Sequence, residues 1–257
     1  MSFQERIDKL NELIAESRNI VFFTGAGIST GSGIPDFRSE DGLYTTSVEA
    51  NPEYMLSNTC LKMEPERFFA YLRNCMDFRE YKPNIAHQKI SELQRARTVS
   101  VITQNIDGLH EKAGSEVVAT IHGTMNKFYC SNCSHDTYAP EDVLDGNFDN
   151  ADGVPKCPLC GGEYVIRPDI TLYGESLPGD AWMNAQYLAS AADLFIVVGT
   201  SLQVSPANLL PRIFGNNKKL VIINREPTPV DNSAGLIFHE DIGEVFDNIK
   251  IPREVKQ

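Results

Sequence analysis

Apolar residues along this chain switch between a helical and an extended period. Ile7, Leu10, Leu13 and Ile14 recur at helical spacing behind Ser2 and Glu5, which form a capping box, so an amphipathic helix opens the chain. Asn19-Ile20-Val21-Phe22-Phe23 is then a β-branched and aromatic strand that breaks abruptly into glycines. Glu64-Pro65-Glu66 starts a helix with proline at its first position and Phe68, Phe69, Leu72 and Met76 on its apolar side. Another follows Pro83-Asn84, with Ala86, Ile90 and Leu93 inward and His87 expected as a hydrogen-bonded structural histidine. Residues 99–103, 117–121, 194–198, 220–223 and 236–238 are short apolar runs. Helices are expected over 180–192, with Trp182, Ala185, Leu188 and Ala189 inward, and at the end through Ile242, Val245, Phe246 and Ile249. Apolar strands alternating with helices predict an α/β fold: a parallel sheet covered on both faces.

Two stretches break the pattern. Residues 39–59 are polar, dotted with aromatics and without period, and a connection of that length is expected to be a functional, mobile segment. Residues 128–165 replace strands with Cys130-x-x-Cys133 and Cys157-x-x-Cys160 around an acidic insert. Each knuckle turns two thiolates toward one point and two knuckles complete a tetrahedron, so Cys130, Cys133, Cys157 and Cys160 predict one structural zinc ion with no open position for catalysis. His135 is a spare ligand, while Cys60 and Cys75 lie in helical surroundings and are expected to be small core residues.

Charge narrows the partners. The formal net charge is −12 over 257 residues. That balance argues against nucleic-acid and anionic-membrane binding and suits a basic partner such as a lysine-bearing polypeptide. No leader pattern and no membrane-spanning apolar run is present, so a soluble cytoplasmic protein is expected, its oligomeric state open and a monomer compatible with the sequence.

Candidate chemistry gathers where strands end. After the first strand, Gly25-Ala26-Gly27-Ile28-Ser29-Thr30 allows a tight turn and offers unpaired backbone N–H groups to an anion, and Pro35-Asp36-Phe37-Arg38 adds a carboxylate, an aromatic face and a guanidinium. The second strand runs into Gln104-Asn105-Ile106-Asp107-Gly108-Leu109-His110, and the third into His122-Gly123. Two strands therefore deliver Asn105, Asp107 and His122 to one edge, where open α/β sheets bind ligands. Thr30 replaces the third glycine of the dinucleotide fingerprint, so an ordinary dehydrogenase site fits poorly.

Together these residues resemble the sirtuin family of NAD-dependent protein lysine deacylases. The matching pieces are the glycine stretch through Arg38, Thr103-Gln104-Asn105-Ile106-Asp107, His122-Gly123, the four cysteines, Gly174-Glu175, Gly199-Thr200-Ser201 and Asn224, in family order over almost the whole chain. The resemblance implies a Rossmann-like, doubly wound NAD-binding domain over 1–44, 85–127 and 166–257. It implies a smaller domain made of a helical module over 45–84 and a zinc module over 128–165. NAD and an acyl-lysine substrate would meet between them. Gly25, Ala26, Gly27, Thr30, Asp36 and Arg38 would hold the pyrophosphate and its flanks with Gly199, Thr200 and Ser201. Asn224, Glu226, Asp241 and Ile242 would address the adenosine half, Gln104 the nicotinamide ribose, and Ile106 and Asp107 the nicotinamide carboxamide. His122 would be the general base on a ribose hydroxyl, Asn105 would position water or ribose, and Phe37 would cover the ribose face once nicotinamide leaves. Residues 171–175 would pair with the substrate backbone, although Leu172 stands where the family has an aromatic residue. The products would be nicotinamide, free lysine and O-acyl-ADP-ribose.

Mono-ADP-ribosyl transfer uses the same electrophile, but a transferase has less need of a base acting on the ribose. A non-catalytic NAD sensor is the alternative outside enzymes, distinguished by binding without turnover. No Tyr-x-x-Arg pair follows the glycine stretch and Gly42-Leu43-Tyr44 resembles the acetyl-accepting subgroup, which leans toward an uncharged acyl chain.

Overall fold

In the computed structural model, residues 1–36, 51–133, 138–216 and 219–252 are described. Strands β1 (Asn19–Thr24), β2 (Thr98–Thr103), β3 (Val118–Thr120), β6 (Leu194–Val198), β7 (Leu220–Ile223) and β8 (Leu236–Phe238) form one sheet of order β3-β2-β1-β6-β7-β8. Every pairing in it is parallel. The order reverses between β1 and β6, so this sheet has its switch point at the carboxyl ends of those two strands.

Alternation along the strands makes both faces apolar. Ile20 and Phe22, Leu194 and Ile196, and Val221 and Ile223 face a cluster that also holds Ile7, Leu10, Ile90, Leu93, Val245 and Phe246. Val21 and Phe23, Phe195 and Val197, and Leu220 and Ile222 face the opposite cluster, with Ala185, Ala189 and Leu210. The Phe3–Glu16 helix has the expected capping box between Ser2 and Glu5. The expected Rossmann-like, doubly wound architecture is therefore present.

A third apolar cluster lies off this sheet. It joins Phe68, Phe69 and Leu72 of the Pro65–Cys75 helix to Phe128, Cys130, Cys157 and Ile166. Its framework is an antiparallel pair, β4 (Gly123–Cys130) and β5 (Ile166–Ile170), whose register shifts between Thr124 and Phe128. The bulge and Pro168 within β5 interrupt the period-two pattern, which is why the pair was not legible as strands.

The structure corrects two expectations. Part of the stretch expected to be aperiodic is helical: Pro52–Met55 and Asn58–Met63 are short helices capped by the side chains of Asn51 and Ser57. Helices of four and six residues are too short to show a clear period, although Pro at the first position and an Asn or Ser cap are start signals. The remainder of the expected mobile segment, 39–50, lies outside the described residues. Cys60 is buried as expected, but Cys75, at the end of its helix, is exposed.

Candidate active site and zinc centre

The loops after β1 and β6 meet at the switch point. The Gly25 N–H donates to Val198 O at 3.0 Å and the Gly27 N–H to Gly199 O at 2.8 Å. Gly199 has φ +61°, and a Cβ there would lie 2.3 Å from Ile28 N. A Cβ on Gly27 would lie 2.8 Å from Gly199 Cα. The glycines are thus needed first for the close contact of two loops. Beyond Gly25 the chain forms a 3-10 helix, Ala26–Ser32, in place of the first α-helix of an ordinary dinucleotide fold, and Gly33 ends it at φ +91°. Among the described residues, no side chain caps its amino end.

Behind this turn sits a compact polar group. The buried Ser29 hydroxyl donates to Asp107 Oδ2 at 2.7 Å and accepts from Asn105 Nδ2 at 3.1 Å. Asn105 Nδ2 also reaches Gly25 O at 3.1 Å. Gln104 Nε2 donates to Thr200 Oγ1 at 2.9 Å, joining the ends of β2 and β6. Burial raises the Asp107 pKa, and hydrogen bonds from the Leu109 N–H and the Ser29 hydroxyl oppose that rise. Ala26 and Ile106 are partly exposed beside these groups and Thr30 is exposed. Asp36 ends the described part of the loop, and Phe37 and Arg38 lie beyond it.

His122 lies just beyond β3, after Ile121. Its Nδ1 is 2.9 Å from the backbone carbonyl of Gln104. A carbonyl only accepts, so the ring proton is on Nδ1 and Nε2 keeps its lone pair. Partial burial lowers the histidine's pKa, against the opposing effect of the Gln104 hydrogen bond. Gly123 turns the chain from the sheet into β4 at φ +80°, where a Cβ would lie 2.0 Å from Asp169 O. The N–H of Thr171 donates to His122 O at 2.9 Å, tying residues 171–175 to the histidine. One edge of that stretch is already occupied, since Tyr173 exchanges hydrogen bonds with Leu56 O and the Asn58 N–H, both at 3.0 Å. A cavity of about 460 Å³ beside it is lined by Arg167, Asp169, Thr171 and Glu175, among others.

The groups expected at the adenosine half lie across β7 and β8. Asn224, at the end of β7, donates from Nδ2 to Glu226 O at 2.7 Å. Asp241 caps the final helix by accepting the Glu244 N–H at 3.2 Å, and Ile242 is the first residue of that helix. Ser201 follows Thr200 at the end of β6.

The four cysteines converge. Their sulfurs lie within 4.8 Å of one another, with Cys130 to Cys160 at 3.7 Å and Cys133 to Cys157 at 3.8 Å. A tetrahedron with Zn–S bonds of ~2.3 Å has edges of ~3.8 Å, so the set fits one zinc ion. Burial would raise the Cys157 thiol, but hydrogen bonds from Tyr138, Cys130 and the Cys160 backbone outweigh it and bring the pKa down to about 6. The Tyr138 hydroxyl donates to Cys157 Sγ at 3.0 Å. Four thiolates complete the coordination of zinc, which makes the centre structural. His135 lies outside the described residues.

Three residues that hydrogen-bond to the loops and strand ends of this site were not singled out from the sequence for that role. Ser29 lies inside the glycine motif, where a hydroxyl looks like any turn residue. Asn84 was read as a helix start, yet its Nδ2 also holds the glycine turn through Ile28 O at 2.7 Å and Ser32 Oγ at 3.0 Å. His110, three residues after Asp107, gave only its spacing as a signal.

Comparison with known proteins accords with this geometry. The family model described as "Sir2 family" matches residues 25–206. An NAD-dependent protein deacetylase of Clostridium acetobutylicum is 42% identical over 252 residues, covering 97% of this chain and 100% of that protein. One from Staphylococcus aureus strain Mu50 is 42% identical over 247 residues, covering 95% and 97%. A Sir2 structure with a deacetylated p53 peptide and 3'-O-acetyl ADP ribose superposes with a TM-score of 0.85 at 38% identity, covering 96% and 97%. Another, Sir2 with p53 peptide and NAD+, gives 0.82 at 39% identity, covering 96% of each. With its reversed-order sheet, its histidine at the β3 end and its four-sulfur centre, this chain belongs to the Sir2 family.

Proposed function

We propose that this protein is an NAD-dependent protein lysine deacetylase releasing nicotinamide, free lysine and O-acetyl-ADP-ribose. The observation that carries the reading is His122: Nδ1 is engaged by Gln104 O at 2.9 Å, leaving Nε2 as a base at the strand edge. Relatives at 42% identity are NAD-dependent protein deacetylases, and similar folds have been solved with acetylated and propionylated peptides.

When bound, NAD supplies an electrophilic ribose carbon and a hydroxyl that accepts the acyl group. The protein's residues do the rest. Ala26, Gly27, Thr30 and the uncapped turn are assigned to the pyrophosphate, with Gly25, Asp36, Arg38, Gly199, Thr200 and Ser201 around it. Asn224, Glu226, Asp241 and Ile242 take the adenosine end. Gln104, held by Thr200, faces the ribose, while Ile106 and Asp107 take the carboxamide. Asn105 orients the reacting groups from its anchor on Gly25 and Ser29. His122 Nε2 accepts the hydroxyl proton. Phe37 is assigned, from the resemblance, to cover the ribose face once nicotinamide leaves. The substrate backbone is assigned to residues 171–175, and the acidic surface favours lysine-rich segments.

The domains implied by the resemblance are 1–44, 85–127 and 166–257 for the NAD-binding part and 45–84 and 128–165 for the smaller one; the off-sheet apolar cluster spans both, since Met125, Ile166 and Ile170 pack with Phe68 and Phe128. Incubating the protein with an acetyl-lysine peptide, with and without NAD, tests the whole reading by product mass. NAD-dependent loss of acetyl with O-acetyl-ADP-ribose formed supports it. NAD binding without turnover sinks it in favour of a sensor.

A further inference from the structure

Beneath the glycine turn, six side chains form a polar circuit, of which the function above uses only part. Thr24 and Thr103 are the last residues of β1 and β2 and are paired in register. The Thr24 hydroxyl donates to Thr103 Oγ1 at 2.9 Å, and Thr103 Oγ1 also accepts the Asn105 N–H at 3.0 Å. That second bond fixes the turn out of β2, and so the direction from which Asn105 reaches Gly25 and Ser29. On the other side, His110 Nε2 lies 3.0 Å from Thr24 Oγ1. His110 sits on the Leu109–Lys112 helix, whose start is held by Asp107 Oδ1 accepting the Leu109 N–H at 2.9 Å. Asp107 takes the Ser29 hydroxyl and Ser29 takes Asn105, which closes the circuit.

We propose that His110 is a positioning residue for the deacetylation reaction, locking the ends of β1 and β2 through Thr24 and Thr103 and thereby aiming Asn105. The proposal rests on the deacetylase reading above. His110 is 1% exposed, and its Nδ1 has no hydrogen-bond partner among the described residues. A buried unpaired N–H is rarer than a buried unpaired lone pair, so the proton belongs on Nε2. There it donates to Thr24, whose own proton is then free for Thr103, and all donors run in one direction from His110 to Thr103. Burial and the neighbouring His87, with ring centroids 4.9 Å apart, keep His110 neutral at working pH, so it acts as a fixed donor and not as a proton carrier.

A side chain that only filled space could be exchanged for leucine. In His110→Leu, kcat/KM for NAD should fall roughly 10-fold or more, since small misplacements near reacting groups are costly, while the acetyl-peptide Kd stays within about twofold. His110→Gln, which can bring an amide N–H to the place of Nε2, should recover most of that loss. If His110→Leu does not fold, Thr24→Val breaks the same chain of hydroxyls and should show the same split. Leucine at wild-type kcat/KM, or glutamine as impaired as leucine, would overturn the proposal. Nitrogen-15 spectra of the imidazoles test the placement without turnover. An Nε2–H tautomer for His110, unchanged between pH 5 and 8, supports it, and an Nδ1–H tautomer or titration near 6.5 overturns it. Wild-type protein that fails to deacetylate the peptide refutes the underlying function instead, which these spectra leave distinguishable.

Discussion

His122 Nδ1 and the Gln104 carbonyl oxygen lie 2.9 Å apart, and this contact selects which imidazole nitrogen can act as a base. The carbonyl belongs to the residue that follows β2, so two neighbouring strand ends fix one ring. His122→Ala should keep NAD affinity and lose about 10²–10⁴-fold in deacetylation, as general-base catalysis commonly contributes. Near-wild-type turnover in a pure preparation would refute the assignment. The pH profile carries a sign. The histidine's pKa is lowered by burial, so the neutral, active form persists below the ordinary value of about 6.5. The acidic limb of kcat/KM should therefore fall below that value in wild type.

Tyr138 and Cys157 give a test of the metal centre that does not depend on activity. The tyrosine hydroxyl donates to the sulfur at 3.0 Å and stabilises the thiolate that binds zinc. Tyr138→Phe should release zinc to a chelator about 10-fold more readily, measured by competition with a metal-binding dye. Cys157→Ala should lose metal and stability together. A metal-free Cys157→Ala protein as stable as wild type would exclude a structural role for zinc.

Stability should fall on mild acidification. His87 is fully buried in a capping box with Asn84, and burial pulls its pKa down to about 4. Above pH ~6.5 the residue is neutral in both folded and unfolded chains and contributes no pH dependence. Below it, the unfolded chain takes up a proton that the fold refuses, so stability drops until the folded pKa is reached. At pH 5 the loss from this residue is about 2 kcal/mol by linkage, and His110 adds to it in the same direction. Urea unfolding at pH 7.5 and 5 measures the difference, and His87→Gln should reduce the slope. An unchanged slope would locate the acid sensitivity elsewhere.

Much of this was legible in the sequence because the main sheet is regular. Strands such as Leu194–Val198 are buried at every position and stand between helices with clear apolar faces, so period and length agree. The two cysteine knuckles predicted their own convergence. What was hidden depends on contacts between distant segments. The partnership of Gly199 with Gly27 joins two loops far apart in sequence, and no local pattern announces it. Likewise Thr24, Thr103 and His110 look like ordinary strand-end and helix residues until β1 and β2 are set in register. The short helices at Pro52–Met55 and Asn58–Met63 carry too few residues to show a period, so only the resemblance, through its helical module over 45–84, implied helix there.

Gly199 provides the sharpest test of how the switch point is built. Its φ of +61° lies in the left-handed region, where a side chain is strained, and a Cβ would sit 2.3 Å from Ile28 N and 2.5 Å from Gly27 C. Both obstacles are backbone, so no rotamer change relieves them. Left-handed strain alone costs about 1–3 kcal/mol. The added overlap must also push the 199–201 loop away from the glycine turn, breaking the 2.8 Å hydrogen bond from the Gly27 N–H to Gly199 O. Gln104, which donates to Thr200 Oγ1 at 2.9 Å, would lose its partner in the same movement. Gly199→Ala should therefore be destabilised by at least about 2 kcal/mol in urea unfolding. Calorimetry should show its NAD affinity reduced roughly 10-fold or more, even where the protein remains folded and zinc-loaded. Wild-type stability together with wild-type NAD affinity would mean that the two loops do not need this contact.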